Sequence, residues 1–275
     1  MTNTFILGSV ALVMLTLTTQ QSNGQLGGIL NKAGEKVAQK AGEVIANSSV
    51  SAKGSSGATA GTAGNTTGKK RVSFDAGFDF KAGSTVLYAS QFEQLNTGSM
   101  PATLKTNGSG QLVKSGDIAG TWLEMQTGAT YKLNNNTKLP KVFTVEFDLL
   151  TACDKIRDIS PVSFGFAGNN SVSGFNEGDI AHTELEFYNE NQITSFAGPA
   201  DKYINTEYDL KPYANDKLHV SIAVNNEQMK VYLGKTKVLD AKMFTTDAVK
   251  YFFISAPIKT ENDAKVYFSN LVIAQ

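Results

Sequence analysis

Cysteine is almost absent from this sequence, which contains Cys153 alone among its 275 residues. A single cysteine excludes an intramolecular disulfide, so the fold must depend on a hydrophobic core, which a chain of this length is able to bury. We expect Cys153 to be a small buried residue that follows a strand ending at Leu150. Histidine is also scarce: His182 and His219 lack metal-ligand spacing with any cysteine, so a zinc site is not indicated.

A surplus of charge of one sign is missing too, since 25 basic residues balance 25 acidic residues. The balance is uneven along the chain. Residues 25–70 carry six lysines against Glu35 and Glu43, which leaves 19 basic and 23 acidic residues elsewhere. The larger part of the chain is therefore mildly acidic and lacks the basic surface that binds a phosphate backbone, so nucleic acid is not expected as a partner.

The sequence has no apolar run long enough to cross a membrane. Its longest, Phe5–Leu17, falls short of the ~20 residues that a spanning helix needs. Polar residues 18–24 follow, which is typical of a secretory signal peptide over residues 1–24. The alternative is an uncleaved N-terminal anchor. The prediction is an exported protein whose mature chain has no transmembrane span.

Motifs for nucleotide binding and serine hydrolysis are missing as well. No glycine-rich phosphate loop precedes a predicted helix, and no Gly-x-Ser-x-Gly pattern is present. The sole tryptophan, Trp122, lies between Thr121 and Leu123, where a core residue is expected more often than a platform for a sugar ring.

Two N-terminal segments precede the main domain. Residues 25–46 are predicted to form a short amphipathic helix, because Leu30, Val37 and Val44 fall on one helical face. Residues 26–46 either dock to a protein partner or a membrane surface, or form a solvated, partly helical tail. Residues 47–71 are dominated by Ser, Gly, Ala, Thr and Asn, a composition typical of a flexible linker, whose root-mean-square reach is roughly 25 Å.

From residue 72 onward the pattern changes to strands. Five segments alternate between apolar and polar residues, namely 143–149, 183–188, 218–224, 229–233 and 265–272. In the last, Val266, Phe268, Asn270 and Val272 are predicted to share one face. Alternation with one apolar face, interrupted by turn residues, is typical of antiparallel sheets. Residues 72–275 are therefore predicted to form one all-β domain, an antiparallel β-sandwich of the jelly-roll type.

Several stretches of residues 76–275 also resemble a known family. They include Phe-Asp-Phe-Lys-Ala-Gly from Phe78 and, most specifically, Leu-Pro-Lys-Val-Phe-Thr-Val-Glu-Phe-Asp-Leu over Leu139–Leu149. They resemble a concanavalin-like jelly-roll module found in Gram-negative outer-membrane proteins that end in an OmpA-like peptidoglycan-binding domain. We do not expect such a domain after the sandwich in this chain. The resemblance implies a protein of the cell envelope, placed in the periplasm, at the outer membrane or outside the cell.

One departure from the family concerns calcium. Members tend to carry Asp or Glu just before the phenylalanine of the first strand, where acidic oxygens help to hold Ca²⁺. Here Ser90 and Gln91 precede Phe92. A structural calcium is therefore not supported at this point, and no cofactor is expected.

A pair of glutamates offers the one candidate for catalysis. Related sandwich enzymes use a Glu-x-Asp-x-x-Glu strand, whose outer carboxylates act as nucleophile and acid/base in retaining glycoside hydrolysis. In this sequence Glu184 and Glu186 share a face, but Glu190 falls one residue late and the middle Asp is absent. We favour a solvated polar strand over a catalytic pair.

A wider set of side chains on the polar sides of the strands forms the candidate ligand-binding site: Glu146, Asp148, His182, Glu184, Glu186, Tyr188, His219 and Tyr232. If their strands share one concave sheet, carboxylates and aromatic rings converge on a surface suited to carbohydrate. If the strands belong to different sheets, these side chains face bulk water. The sequence leaves both arrangements open.

The function expected from the sequence is that of a non-catalytic, exported envelope or surface module that binds a glycan or an envelope polysaccharide. Two alternatives remain: a retaining glycoside hydrolase that uses Glu184 and Glu186, and a structural subunit of an envelope protein assembly that docks through residues 26–46.

Overall fold

The computed structural model describes residues 78–275. The predicted signal peptide, amphipathic helix and linker lie outside the described residues. Within the described part of the chain, no helix has the length and the apolar character needed to cross a membrane.

The described chain is built from β-strands joined by turns and four short 3₁₀ segments. The strands are β1 (Val86–Ala89), β2 (Leu104–Thr106), β3 (Gly110–Lys114), β4 (Thr121–Met125), β5 (Thr130–Leu133), β6 (Val142–Ala152), β7 (Val162–Ala167), β8 (Asp179–Glu186), β9 (Gln192–Ala197), β10 (Lys202–Glu207), β11 (Lys217–Asn225), β12 (Gln228–Leu233), β13 (Thr236–Lys242), β14 (Tyr251–Ser255) and β15 (Lys265–Ala274). The 3₁₀ segments are Phe92–Gln94, Ile156–Asp158, Phe187–Asn189 and Lys211–Tyr213.

The strands form two sheets. The eight-stranded sheet has the order β13-β12-β11-β6-β15-β4-β3, with β1 pairing to β15 beyond the point where β4 ends. The seven-stranded sheet has the order β10-β9-β8-β7-β14-β5-β2. Neighbouring strands pair antiparallel in both. The predicted fold class, an antiparallel all-β sandwich, is confirmed.

Aromatic side chains from both sheets meet in the interior. Phe147 of β6 is fully buried, and its ring centroid lies 5.2 Å from Phe164, 5.7 Å from Phe252 and 5.6 Å from Phe268. Phe268 belongs to the same sheet as Phe147, whereas Phe164 and Phe252 reach across from the other sheet. Burying one such side chain stabilises the folded state by roughly 1.5–3 kcal/mol. These aromatic contacts therefore hold the two sheets together.

The single cysteine and the single tryptophan are both buried, as expected. Cys153 directly follows β6, which ends at Ala152 rather than at the predicted Leu150. Asn215 holds this turn in place, since its side chain accepts a hydrogen bond from the Cys153 N–H and donates one to the Cys153 carbonyl. Trp122 is 1% exposed and therefore offers no open ring to a ligand.

The predicted alternation of the last strand is wrong beyond Ser269. Asn270 takes a left-handed conformation with φ 55°, and the pairing of β15 with β6 shifts register between Ser269 and Val272. Such a bulge adds one residue to a strand and exchanges the faces that follow it. As a result Leu271 and Ile273 are buried, in place of the predicted Asn270 and Val272.

Candidate functional site

The structure does not bring the eight predicted site residues together. Four of them lie on the eight-stranded sheet: Glu146, Asp148, His219 and Tyr232. The other four lie on or directly after β8 of the seven-stranded sheet: His182, Glu184, Glu186 and Tyr188. Since all eight alternate with residues of the shared core, the two groups point to opposite sides of the sandwich. Of the two arrangements that the sequence left open, the structure has the one in which the strands belong to different sheets.

On the eight-stranded sheet, Asp148 is the centre of a closed polar network. Its carboxylate lies 2.7 Å from His219 Nδ1 and 3.3 Å from Lys217 Nζ, and it accepts a 2.8 Å hydrogen bond from the Asn270 amide. Glu146 lies on the other side of the ring, 3.4 Å from His219 Nε2. Burial opposes ionisation of Asp148, but its hydrogen bonds with His219 and Asn270 outweigh burial and lower its pKa. This carboxylate is already fully engaged within the protein.

Tyr232, on the same sheet, is covered by the start of the described chain. Its ring is 1% exposed and packs edge-on against Phe78 and Phe80, at centroid distances of 5.5 and 5.6 Å. The hydroxyl donates a 2.8 Å hydrogen bond to Asp79, which also pairs with Lys230 at 2.8 Å. Tyr232 therefore has no free ring face on which a sugar could stack.

The outer face of the seven-stranded sheet is more open and carries exposed aromatic rings. His182 of β8 lies beside Phe196 of β9, which in turn lies beside Tyr203 of β10. Phe196 is 41% exposed and Tyr203 is 67% exposed. The Phe196 ring centroid is 5.7 Å from that of His182. We call these three residues the aromatic row.

A second cross-strand row runs parallel to the aromatic row and is polar. It consists of Ser163 of β7, Glu184 of β8, Thr194 of β9 and Asn205 of β10. Ser163 donates a 3.1 Å hydrogen bond to Glu184, and Thr194 Oγ1 lies 3.0 Å from the Asn205 side-chain amide. We call this set the polar row. Acceptors and hydroxyls thus lie two residues along the strands from the exposed rings, on the same face of the sheet.

His182 joins the two rows electrostatically. Its Nδ1 lies 2.5 Å from Asp179 Oδ2, and its Nε2 lies 3.3 Å from Glu184 Oε1. Burial opposes the charged ring, but the hydrogen bonds with Asp179 and Glu184 outweigh it and raise the pKa of His182 to about 9. The same contact with His182 is the largest cause of the lowered pKa of Glu184. Both groups are therefore charged at neutral pH.

Glu186 is buried at the end of β8 and is held by neighbouring donors. Its carboxylate accepts hydrogen bonds from four side chains: Tyr188 at 3.0 Å, Asn189 at 2.7 Å, Gln192 at 3.2 Å, and Thr194. Through Thr194 it supports the polar row. The role of Glu186 seen here is to fix the positions of the side chains around it.

A loop covers the far side of this face. Residues 168–178, between β7 and β8, lie over β5 and β14. The buried Lys132 of β5 holds them there, since its Nζ donates hydrogen bonds to the carbonyls of Asn169 at 3.1 Å and Glu177 at 2.6 Å. Asn176 is held as well, since its N–H donates to the Thr130 hydroxyl at 2.9 Å. The open part of the face thus lies on β8, β9 and β10, since every residue of β7 is buried.

Sequence reasoning missed five residues of the two rows, namely Ser163, Thr194, Phe196, Tyr203 and Asn205, and the last three of them are exposed. A signal was present in the chain. In Ile193-Thr-Ser-Phe-Ala, Phe196 stands on the opposite side from Ile193, and in Lys202-Tyr-Ile-Asn, Tyr203 and Asn205 stand opposite Ile204. An aromatic residue on the polar side of a half-buried strand indicates a ring left in water.

The residues before the first predicted strand do not fit a calcium site. Ser90 and Gln91 supply no carboxylate, and the nearby Glu93 already accepts hydrogen bonds from the N–H and the hydroxyl of Thr121 at 2.6 and 2.9 Å. Hard cations require several free oxygen ligands. Across residues 78–275, no three His, Cys, Asp or Glu side chains are grouped so as to hold a metal ion.

Comparison with known proteins finds likeness in structure alone. No family model matches the chain, and no curated protein matches it in sequence. Among solved structures, the metal-free VIP36 exoplasmic/lumenal domain superposes with a TM-score of 0.50 at 8% identity, over 68% of this chain and 93% of that one.

Two further structures are similar at lower scores. Arcelin-5, a lectin-like defense protein from Phaseolus vulgaris, gives a TM-score of 0.49 at 14% identity, covering 68% of this chain and 96% of that one. The carbohydrate binding module CBM66 from Bacillus subtilis gives 0.42 at 14% identity, covering 63% and 96%. At such identities the likeness is one of fold. The described domain has the concanavalin-like sandwich fold.

Proposed function

We propose that this domain is a non-catalytic, glycan-binding module that uses the outer face of the seven-stranded sheet. The observation that carries the proposal is the exposure of Phe196 and Tyr203 beside the polar row. Aromatic rings stack on the apolar faces of sugars, while carboxylates, amides and hydroxyls bind sugar hydroxyls. His182 and Glu186 hold Glu184 and Thr194 of the polar row in place before a ligand binds, and this lowers the entropic cost of binding.

Binding without turnover is favoured over glycoside hydrolysis. A retaining enzyme needs one carboxylic acid of raised pKa to protonate the leaving oxygen. Glu184 has the opposite property, because His182 lowers its pKa. Its partner in the catalytic alternative, Glu186, is buried and accepts hydrogen bonds from four side chains. Glu184 therefore does not supply the protonated acid, and Glu186 is not free to supply it, so the pair lacks the general acid that hydrolysis requires.

We also propose that the module acts in the cell envelope, in the periplasm, at the outer membrane or outside the cell. The apolar segment at Phe5–Leu17, the low-complexity residues 47–71 and the family resemblance support this placement. Docking of residues 26–46 to a protein partner stays a prediction, because those residues lie outside the described part of the chain.

Substituting the exposed rings tests the glycan site. Phe196→Ala and Tyr203→Ala should each weaken retention on immobilised polysaccharide about 5- to 10-fold, which corresponds to about 1–1.4 kcal/mol of lost stacking. Affinity electrophoresis in gels containing soluble polysaccharides measures the effect. Phe78→Ala is the matched control, because Phe78 is an exposed ring that packs on Tyr232, on the opposite face of the sandwich. Retention that is unchanged in both test variants, or absent in the wild type on every glycan, would contradict the proposal.

A further inference from the structure

Carboxylates outnumber cations on the open part of the seven-stranded sheet. The acidic side chains on its outer face are Asp179, Glu184 and Glu186 of β8 and Glu207 of β10. Glu207 is exposed and lies across from Gln192, a neighbour of Glu186. Lys202 is also on β10, but its register partner is the inward-facing Ala197.

Two cations lie among these carboxylates, His182 and Lys132, and both are already engaged within the protein. The ring of His182 lies between Asp179 and Glu184, and its side chain is 11% exposed. Lys132 is buried beneath residues 168–178 and donates to two backbone carbonyls. In the described part of this face, neither cation is presented to a ligand, and the surface around the aromatic row is therefore net negative.

Such a surface discriminates by charge. Sugar hydroxyls donate to carboxylates without a charge penalty, so an uncharged glycan gains hydrogen bonds from Glu184 and stacking from the aromatic row. A uronate, sulfate or phosphate group brings a second negative charge close to the same carboxylates and is repelled. The repulsion is strongest at low salt and is screened as ionic strength rises.

We infer that this face selects uncharged glycans and rejects polyanionic ones. The inference rests on the glycan-binding function proposed above and adds its ligand class. Glu207 is the carboxylate best suited to setting the selection without supporting the fold, because it is exposed on the edge strand β10.

Paired polysaccharides test the inference with the full chain. Affinity electrophoresis would compare uncharged glucans, mannans and galactans with polygalacturonate, at low and high salt. The wild type should bind at least one uncharged polymer and bind polygalacturonate at least 10-fold more weakly at low salt. Glu207→Lys should strengthen the retention of polygalacturonate and so at least halve the ratio of uncharged-polymer affinity to polygalacturonate affinity. Glu261→Lys, the same charge change at an exposed residue between β14 and β15, should leave it unchanged.

The outcomes separate the two proposals. If polygalacturonate is bound as well as or better than every uncharged polymer, the charge selection is overturned while glycan binding stands. If Glu207→Lys leaves the ratio unchanged, charge on this face is not what discriminates, and the selection is again overturned. If neither class of polymer is bound by the wild type, the glycan-binding function itself fails, and the selection fails with it.

Discussion

His182 is the residue in which burial and charge compete most directly. Its ring is largely buried, yet two carboxylates, Asp179 and Glu184, keep it protonated and raise its pKa to about 9. A histidine in the unfolded chain titrates near 6.5, so the folded state binds the proton more tightly. The resulting stabilisation is complete below that pH and is lost as the pH rises through about 9.

The pH dependence of unfolding provides the test. His182→Gln should lower the free energy of unfolding at pH 6, on the order of 2–3 kcal/mol, and by much less near pH 10. Urea unfolding of the variant and the wild type at both pH values measures the difference. NMR titration of the His182 ring is the direct check. A pKa at or below 6.5 would contradict the proposed ion-pair arrangement.

The same scale shows what the sequence could reveal of the site. The titratable members His182, Glu184 and Glu186 were identifiable, because alternation places them on the polar side of β8. Their hydrogen bonds and protonation states could not be read from the sequence. Glu186 accepts hydrogen bonds from four side chains because the turn after β8 brings Asn189 and Gln192 back to it. The alternation of a strand carries no information about the shape of that turn.

At the scale of elements, the bulge in β15 is the clearest failure of pattern reasoning. Asn270 breaks the alternation because Asn tolerates the left-handed region and its amide donates to Asp148 of the neighbouring strand. After Asn270 the chain reads Leu-Val-Ile, so an apolar residue would face the core whether or not a bulge exchanged the faces. The deciding contact lies on another strand, so it is invisible in the local pattern.

Substitutions at Asn270 test the bulge. Asn270→Ala should lower the free energy of unfolding by roughly 1–3 kcal/mol, because it loses the hydrogen bond to Asp148 and strains a residue at φ 55°. Asn270→Gly loses the same bond without the strain and should cost less. Urea unfolding of both variants ranks them. An Ala variant as stable as the Gly variant would show that the left-handed backbone is not under strain there.

Pairing between strands is the other feature that the pattern left open. Alternation in segments 143–149, 183–188 and 218–224 correctly indicated one apolar face, and Phe147, Phe187 and Ile222 on that face are buried. It could not predict that β8 joins β7 and β9 in one sheet while β6 joins β11 and β15 in the other. Strand neighbours are set by long-range contacts between distant segments, and the division of the candidate site followed from those contacts.

For the whole molecule, the sandwich separates two unlike surfaces. One outer face is partly covered by Phe78 and Phe80, which pack on Tyr232, and its carboxylates Asp148 and Asp79 are paired with His219 and Lys230. The opposite face presents the exposed Phe196 and Tyr203. The described chain therefore begins on the side away from the proposed glycan site, which leaves that site unobstructed by the first described residues.

Mapping the binding face by NMR tests the central claim most directly. The isotope-labelled protein would be titrated with a soluble, uncharged oligosaccharide taken from a polymer that retains the wild type. The account predicts that amide shift changes cluster on β8, β9 and β10, around His182, Phe196 and Tyr203. Changes that cluster instead on β6, β11 and β12, or no change at saturating ligand, would contradict it.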